Sequence, residues 1–346
     1  MQHSKELTTT WQSPSNIAIV KFWGKRAVQE PVNPTISFSL SESVTTTKVT
    51  LTPSEEGRFL FLIDGKKNAG FEKKISNFFE SIQLRIPLIK KNFLKIESSN
   101  TFPHSAGIAS SASAMSALAL CLADLQQQID INNSLNISEV SSLARIGSGS
   151  AARSVYGGWN LWGRLPEIPE SSDNYAIPVP VSVAPVFQNF HDDILIVKSS
   201  SKPVSSSAGH ALMNNHPYRS GRISQAYNNT LTLLKQLETG DLDGFIALAE
   251  SEALSLHALM MSSIPSYTLL QPNSLLIIEK IRSYRQEKDI PVSFTMDAGP
   301  NIHLFYPHEF SKEVKEWQEK QLKPLCEKGR IIRDFVGRGP QKIITT

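Results

Sequence analysis

The stretch PHSAGIASSASA, residues 103–114, holds the residue types that build a phosphate-binding turn at the start of a helix. Gly107 allows the backbone to approach a ligand closely, and Ser110, Ser111 and Ser113 offer hydroxyl groups. The helix that follows would present free N–H groups at its positive end, where phosphate binds well. No Gly-Lys-Ser/Thr follows, so this is not a Walker A loop. Composition alone favours a helix start chosen for tight packing nearly as strongly as it favours a phosphate site. The phosphate interpretation predicts an enzyme that uses ATP.

The sequence on either side of this stretch predicts mixed strands and helices. Met115, Leu118, Leu122 and Leu125 fall on one face at helical spacing, which predicts a helix from residue 109 onward. Alternating or compact apolar runs predict strands over 16–23, 44–51, 58–63 and 92–97, the early ones forming a β-meander. Further helices are predicted over 71–86 and 138–146.

The second half of the chain begins after a segment, residues 165–189, that holds five prolines. Few apolar residues in it are periodic, so we expect a domain boundary near its end, dividing the chain into residues 1–188 and 189–346. Beyond it the pattern predicts strands over 194–198, 292–296, 302–306 and 331–335, and helices over 221–237, 242–260, 274–285 and 309–321. Because strands and helices do not alternate strictly, the predicted class is α+β.

Composition narrows the function classes. The 346 residues include 35 Lys and Arg against 32 Asp and Glu, a net charge of +3, and 40% are hydrophobic. The basic residues are scattered, which argues against nucleic-acid binding but suits a small anionic ligand. Any single pair, such as Lys73-Lys74, is more simply interpreted as ordinary solvated lysines. No run approaches the roughly 18 apolar residues of a membrane span, so we expect a cytoplasmic protein without a membrane partner.

Two further segments carry candidate chemistry. Gly147 to Arg153 reads GSGSAAR, a second glycine and serine turn followed by an arginine that could clamp a carboxylate or phosphate with two hydrogen bonds. A flexible turn with a surface arginine is the alternative. Asp297 follows an apolar run and opens the turn MDAGPN, as a catalytic carboxylate at a strand end would. An Asx-turn explains a lone aspartate equally well. The eight histidines and two cysteines form no spaced ligand set, so no protein-bound metal is predicted.

Taken together, seven segments resemble the mevalonate diphosphate decarboxylase family of the GHMP kinase superfamily. The resemblance spans nearly the whole chain, and its segments are SPSNIAIVKFWGKR from Ser13, NPTISFSL from Asn33, NTFPHSAGIASSASA from Asn100, ARIGSGSAARSVYGGW from Ala144, VSSSAGH from Val204, MDAGPNIHLFY from Met296 and VGRGPQ from Val336. The serine-rich loop is shared by the whole superfamily, whereas NIAIVKFWGKR and SGSAARS together are typical of the decarboxylases.

The resemblance implies a fold and a reaction. The fold is a two-domain GHMP kinase fold, with an N-terminal domain like ribosomal protein S5 domain 2, a ferredoxin-like C-terminal domain and an active site in the cleft between them. The reaction converts mevalonate 5-diphosphate to isopentenyl diphosphate with ATP and Mg²⁺, through transient phosphorylation of the 3-hydroxyl. Family members are commonly homodimers.

The resemblance also implies roles for individual residues. Asp297 would orient or deprotonate the substrate hydroxyl, Lys21 would offset developing charge, and Arg153 would bind the substrate carboxylate. The remaining substrate contacts would come from Asn16, Ser148, Ser150 and Ser206, and the ATP phosphates would contact Gly107, Ser110, Ser111 and Ser113. One position departs from the family: Phe22 stands where tyrosine is usual, which removes one possible contact to the substrate diphosphate.

Two other functions remain open from the sequence. A related kinase could phosphorylate mevalonate or a phosphomevalonate without decarboxylation, and a non-catalytic descendant could bind metabolites as a sensor. The joint presence of Asp297, Lys21 and Arg153 favours the decarboxylase, because relatives that only phosphorylate are expected to lose part of that set.

Overall fold

The computed structural model describes residues 5–103, 110–200 and 204–344; Gly107 lies outside the described residues. Its strands are β1 Leu7–Ala18, β2 Thr35–Pro53, β3 Arg58–Ile63, β4 Asn92–Asn100, β5 Trp159–Trp162, β6 Ala176–Pro178, β7 His191–Leu195, β8 Ser293–Thr295, β9 Ile302–Tyr306, β10 Ile331–Ile332 and β11 Gln341–Lys342. Its helices are α1 Ala69–Ile82, α2 Ser110–Ile129, α3 Ile137–Gly147, α4 Pro185–Gln188, α5 Ser206–Leu212, α6 Arg219–Thr239, α7 Leu242–Met261, α8 Pro272–Lys288 and α9 Ser311–Gln321. Within these ranges no helix has the length and apolar character needed to cross a membrane.

The first sheet has the order β11-β1-β2-β4-β3, with β5 joining β2 to β6. β2 pairs with β4 rather than with β3, and β3 runs parallel to β4, so the predicted meander is wrong. Parallel neighbours need a crossover, and α1 supplies it between β3 and β4. β1 begins at Leu7 and ends at Ala18, whereas the prediction placed this strand over 16–23. The start of β1 is rich in threonine and has few apolar residues, so the apolar pattern did not indicate that the strand begins at Leu7.

Helix α2 packs across this sheet with its small and apolar residues. All four residues of the predicted face, Met115, Leu118, Leu122 and Leu125, are buried, as is nearly every alanine between them. The thiol of Cys121 donates to the carbonyl of Thr47 on β2 at 3.2 Å. The small residues therefore let the helix approach the sheet closely, and the start of α2 lies at the edge of the cleft between the two halves.

The second sheet has the order β10-β7-β9-β8, all antiparallel, with α6 to α9 from the same half. The predicted helices of this half are present with shifted ends, and the α+β class is confirmed. The last residues return to the first sheet, where β11 pairs with β1. Asp334 strengthens that return, because its carboxylate accepts the backbone N–H groups of Ser41, Glu42 and Ser43 at 2.8–2.9 Å. A division at residue 188 stays a prediction.

A buried ion pair of the second half holds the segment that follows β1. Arg222 on α6 and Glu252 on α7 form two hydrogen bonds of 2.6 and 2.7 Å, and both residues are almost fully buried. Glu252 also accepts the backbone N–H of Lys21 at 2.8 Å, and Arg222 donates to the carbonyl of Lys21 at 3.2 Å. The backbone N–H and the carbonyl of Lys21, which belongs to the first half, are thus both fixed by side chains of the second half.

This contact predicts a large and specific loss of stability in Glu252→Ala. The substitution leaves the Arg222 guanidinium without its carboxylate in a buried interface, so we expect the free energy of unfolding to fall by about 3–5 kcal/mol. Chemical denaturation measures it.

Glu250→Ala is the matched control on the same helix. Its partners Arg282 and Arg285 are partly exposed, so the expected loss is about 1 kcal/mol. Equal losses in the two variants would contradict the role given to the buried pair.

Candidate active site

A cavity of about 480 Å³ lies between the two halves of the chain. It is lined by nine of the eleven residues that sequence analysis assigned to the site, namely Asn16, Lys21, Ser110, Ser111, Ser148, Ser150, Arg153, Ser206 and Asp297. Gly107 lies outside the described residues, and Ser113 does not line the cavity. Segments that are more than 250 residues apart in sequence therefore meet at one site.

Lys21 and Asp297 form an ion pair across the cavity. The Lys21 Nζ lies 3.2 Å from Asp297 Oδ1, with the lysine side chain 2% exposed and the aspartate side chain 30% exposed. Burial lowers the pKa of Lys21 below its ordinary value, although Asp297 and Glu252 oppose that shift. Asp297 lies two residues after β8, where its carbonyl closes a turn with the N–H of Gly299 at 2.7 Å. The Asp297 carboxylate is thus partly exposed to the cavity, whereas the Lys21 ammonium group that it contacts is buried.

Arg153 is the second buried cation of the cavity. Its Nη1 donates to the Thr35 hydroxyl at 2.9 Å, and its guanidinium lies 5.8 Å from the ring centre of Trp162. Its Nε is buried and has no hydrogen-bond partner among the described residues. Burial lowers its pKa to about 10, so the group is charged at neutral pH. A buried guanidinium with a donor to spare is suited to bind a planar anion.

Asn16 and the serine turn lie beside Arg153. A register shift between Pro14 and Asn16 breaks the regular pairing of β1 with β2, and such a bulge re-aims the side chain that follows it. Asn16 Nδ2 donates to the Ser154 hydroxyl at 2.7 Å and to the Ser150 carbonyl at 3.1 Å, while its buried Oδ1 has no partner in the described ranges. The amide is therefore held with one acceptor left for a ligand.

Ser111 and Ser113 have different surroundings although they are two residues apart. The Ser111 hydroxyl is hydrogen-bonded to that of Ser148 at 3.0 Å and so connects the start of α2 to the second serine turn. Ser113 is fully buried and hydrogen-bonded to the Thr45 hydroxyl at 2.6 Å on β2. Alternate faces of a helix explain the difference, and the expectation that Ser113 contacts phosphate is corrected: it fastens α2 to the sheet.

Lys25, Lys74 and His210 also line the cavity and were not assigned from the sequence. Lys74 lies three residues after Phe71 and four before Phe78, so its position on the apolar face of α1 was a usable signal that it is not an ordinary solvated lysine. Burial lowers the pKa of Lys74, and it lowers that of Lys25 to about 8, with a further contribution from the charge of Lys74.

The charges of the cavity define the ligand class. Its lining side chains include four cations, Lys21, Lys25, Lys74 and Arg153, and one carboxylate, that of Asp297. Like charges brought together in a partly buried site are unfavourable without counterions. In the described part of the chain no three His, Cys, Asp or Glu residues cluster as metal ligands. The cavity is therefore suited to a ligand with several negative charges.

Family profiles match both halves of the chain. The profile described as diphosphomevalonate decarboxylase-like N-terminal domain matches residues 13–176, and that described as mevalonate 5-diphosphate decarboxylase C-terminal domain matches residues 193–340.

Individual relatives agree with these profiles. A diphosphomevalonate decarboxylase of Ganoderma lucidum is 31% identical over 330 residues, which cover 89% of this chain and 80% of that protein. The structure of mevalonate diphosphate decarboxylase from Staphylococcus aureus is 28% identical, with a TM-score of 0.85 over 99% of this chain and 100% of that one. The structure described as MDDEF in complex with MVAPP, AMPPCP and magnesium is 26% identical, with a TM-score of 0.84 over the same shares. These matches confirm the predicted GHMP kinase-type fold. The chain belongs to the mevalonate diphosphate decarboxylase family.

Proposed function

We propose that this protein catalyses the ATP-dependent decarboxylation of mevalonate 5-diphosphate to isopentenyl diphosphate, carbon dioxide, ADP and phosphate. The observation that carries the proposal is the Lys21–Asp297 pair, 3.2 Å apart, in a cavity that also holds Arg153. Membership of the family, and a neighbouring structure determined with MVAPP and AMPPCP, support the same reaction.

Asp297 and Lys21 would act on the tertiary hydroxyl of the substrate. That hydroxyl is a poor leaving group, so transfer of a phosphoryl group to it makes the later loss of carbon dioxide feasible. The Asp297 carboxylate orients the hydroxyl and accepts its proton, while the buried Lys21 ammonium offsets the negative charge on the transferring phosphoryl group. The 3.2 Å contact between Lys21 Nζ and Asp297 Oδ1 supports these paired roles.

Arg153 and Asn16 would bind the substrate carboxylate and its neighbourhood. The buried guanidinium of Arg153 has a spare N–H, and the buried Oδ1 of Asn16 can accept a hydrogen bond. Ser148, Ser150 and Ser206 line the same cavity and complete the substrate contacts in this proposal. Arg153 would hold the carboxylate until the phosphate leaves. The electrons of the breaking C–C bond then form the new double bond.

The ATP phosphates would bind where α2 begins. Ser110 and Ser111 line the cavity at the positive end of this helix, and Gly107 precedes them in the sequence. The hydroxyl oxygens of Ser110 and Ser111 fit a Mg²⁺ ion that arrives on the nucleotide, because Mg²⁺ takes most of its ligands from phosphates and water at such sites. Bound Mg²⁺ would neutralise charge on the phosphates.

A coupled assay separates this proposal from the two alternatives. The protein is incubated with carboxyl-labelled mevalonate 5-diphosphate, ATP and Mg²⁺, and ADP and trapped carbon dioxide are counted. We expect one carbon dioxide per ADP. ADP without carbon dioxide would identify a kinase, and neither product would identify a binding protein.

Three further expectations belong to the same proposal: a homodimer, a cytoplasmic location, and domains of residues 1–188 and 189–346. The family resemblance supports the dimer, the absence of a long apolar run in the sequence supports the location, and the proline-rich segment supports the boundary. Size-exclusion chromatography with light scattering tests the dimer.

Asp297→Asn should lower kcat by about 10²–10⁴-fold, because the amide cannot accept the hydroxyl proton. ATP binding, measured by calorimetry, should change little. Asp289→Asn, at the end of α8, is the control and should retain normal turnover. Near-normal kcat in Asp297→Asn would remove this residue from the reaction.

Arg153→Lys should raise KM for the substrate by about tenfold or more, because an ammonium group cannot make the planar two-point contact of a guanidinium. KM for ATP should stay within about twofold. The control is Arg285→Lys, which alters an arginine that is paired with Glu250 outside the cavity. A selective rise in KM for ATP would assign Arg153 to the nucleotide instead.

A further inference from the structure

His210 is a buried histidine of the cavity that the proposed mechanism does not use. It lies on α5, is 7% exposed, and lines the cavity together with Phe22 and Lys25. Its ring packs against two aromatic rings, that of Phe22 with ring centres 4.5 Å apart and that of Trp23 with ring centres 4.7 Å apart. The orientation of the imidazole is therefore fixed by packing.

One nitrogen of this ring is occupied by the backbone. The N–H of Gly24 donates to His210 Nδ1 at 2.9 Å, so Nδ1 carries no proton. Burial and the nearby charge of Lys25 lower the pKa of His210 to about 3, which keeps the ring neutral. A neutral imidazole with an unprotonated Nδ1 carries its hydrogen on Nε2.

The other nitrogen has no protein partner within the described ranges. Nδ1 is occupied by the Gly24 N–H and the ring lines the cavity, so Nε2 is the ring nitrogen left for a ligand. His216 provides a contrast in the same half: its Nδ1 accepts the N–H of Tyr218 at 3.1 Å, but its Nε2 is hydrogen-bonded to the Leu259 carbonyl at 3.0 Å. His216 is thus satisfied by protein on both sides, and His210 is not.

The surroundings indicate what this N–H binds. The charge of Lys25 acts on His210 and that of Lys74 acts on Lys25, so the two lysines form a cationic region of the cavity beside His210. The Phe22 ring lies 4.5 Å from the His210 ring centre and 5.9 Å from Lys25 Nζ, and it presents only carbon. An anionic oxygen at this end would find one N–H donor of fixed direction next to flexible ammonium groups.

We propose that His210 is a substrate-binding residue whose Nε2–H donates a hydrogen bond to a phosphoryl oxygen of the substrate beside Lys25. This inference rests on the proposed function for the identity of the substrate. Because Gly24 and Lys25 belong to the same turn, His210 both anchors the turn and supplies the donor next to it.

The test is calorimetric titration of mevalonate 5-diphosphate, without ATP, into the wild type and three variants. His210→Asn keeps an acceptor near the Nδ1 position but has no donor at the Nε2 position, so the Kd should rise by about tenfold or more. His210→Gln places an amide N–H near the Nε2 position and should restore the Kd to within about threefold of the wild type. His216→Asn, the matched control, should leave the Kd unchanged.

Unchanged affinity in His210→Asn, or an equal loss in His216→Asn, would overturn the inference. Should His210→Asn not fold, the ¹⁵N-labelled wild type decides: the His210 Nε2 proton should shift on addition of mevalonate 5-diphosphate, and no shift would refute the hydrogen bond. A wild type that binds this ligand but releases no carbon dioxide contradicts the proposed reaction alone. A wild type that does not bind it contradicts both proposals.

Discussion

The structure depends on how the second half holds the peptide groups of Lys21. The Arg222–Glu252 pair is buried, which is costly unless the two charges are matched, and each member also hydrogen-bonds a backbone group of that one residue, its N–H or its carbonyl. The backbone of Lys21 therefore joins the two halves of the chain, and its buried side chain reaches Asp297. The ammonium group is held by these backbone contacts together with the burial of its own stem.

The same arrangement explains why the cavity needs a polyanionic ligand. Among the described residues four cations and one carboxylate line the site, and burial lowers the pKa of each of the three lysines. The free energy lost in bringing these charges together is recovered when phosphates and a carboxylate bind. Substrate and ATP would thus supply counterions for the cations that line the cavity.

Sequence reasoning succeeded where chemistry is local. Spacing and residue type are enough to predict three features: the apolar face of α2, the serine turn around Ser148 and the position of Asp297 at the end of a strand. It failed where pairing is long-range: the polar start of β1 and the β2–β4 pairing depend on partners that no local pattern identifies. Lys74 was treated as a surface residue because it belongs to a lysine pair, although its spacing from Phe71 placed it on the buried face of α1. Ser113 was assigned to phosphate by proximity in sequence, but the helix turns it toward Thr45.

The most direct test of this account is a crystal structure with mevalonate 5-diphosphate and a non-hydrolysable ATP analogue bound. We expect the 3-hydroxyl oxygen about 2.6–3.2 Å from the Asp297 carboxylate, between that group and the γ-phosphate, with the substrate carboxylate on Arg153. A substrate bound with its hydroxyl away from Asp297, or with its carboxylate on the lysines at the other end of the cavity, would contradict it.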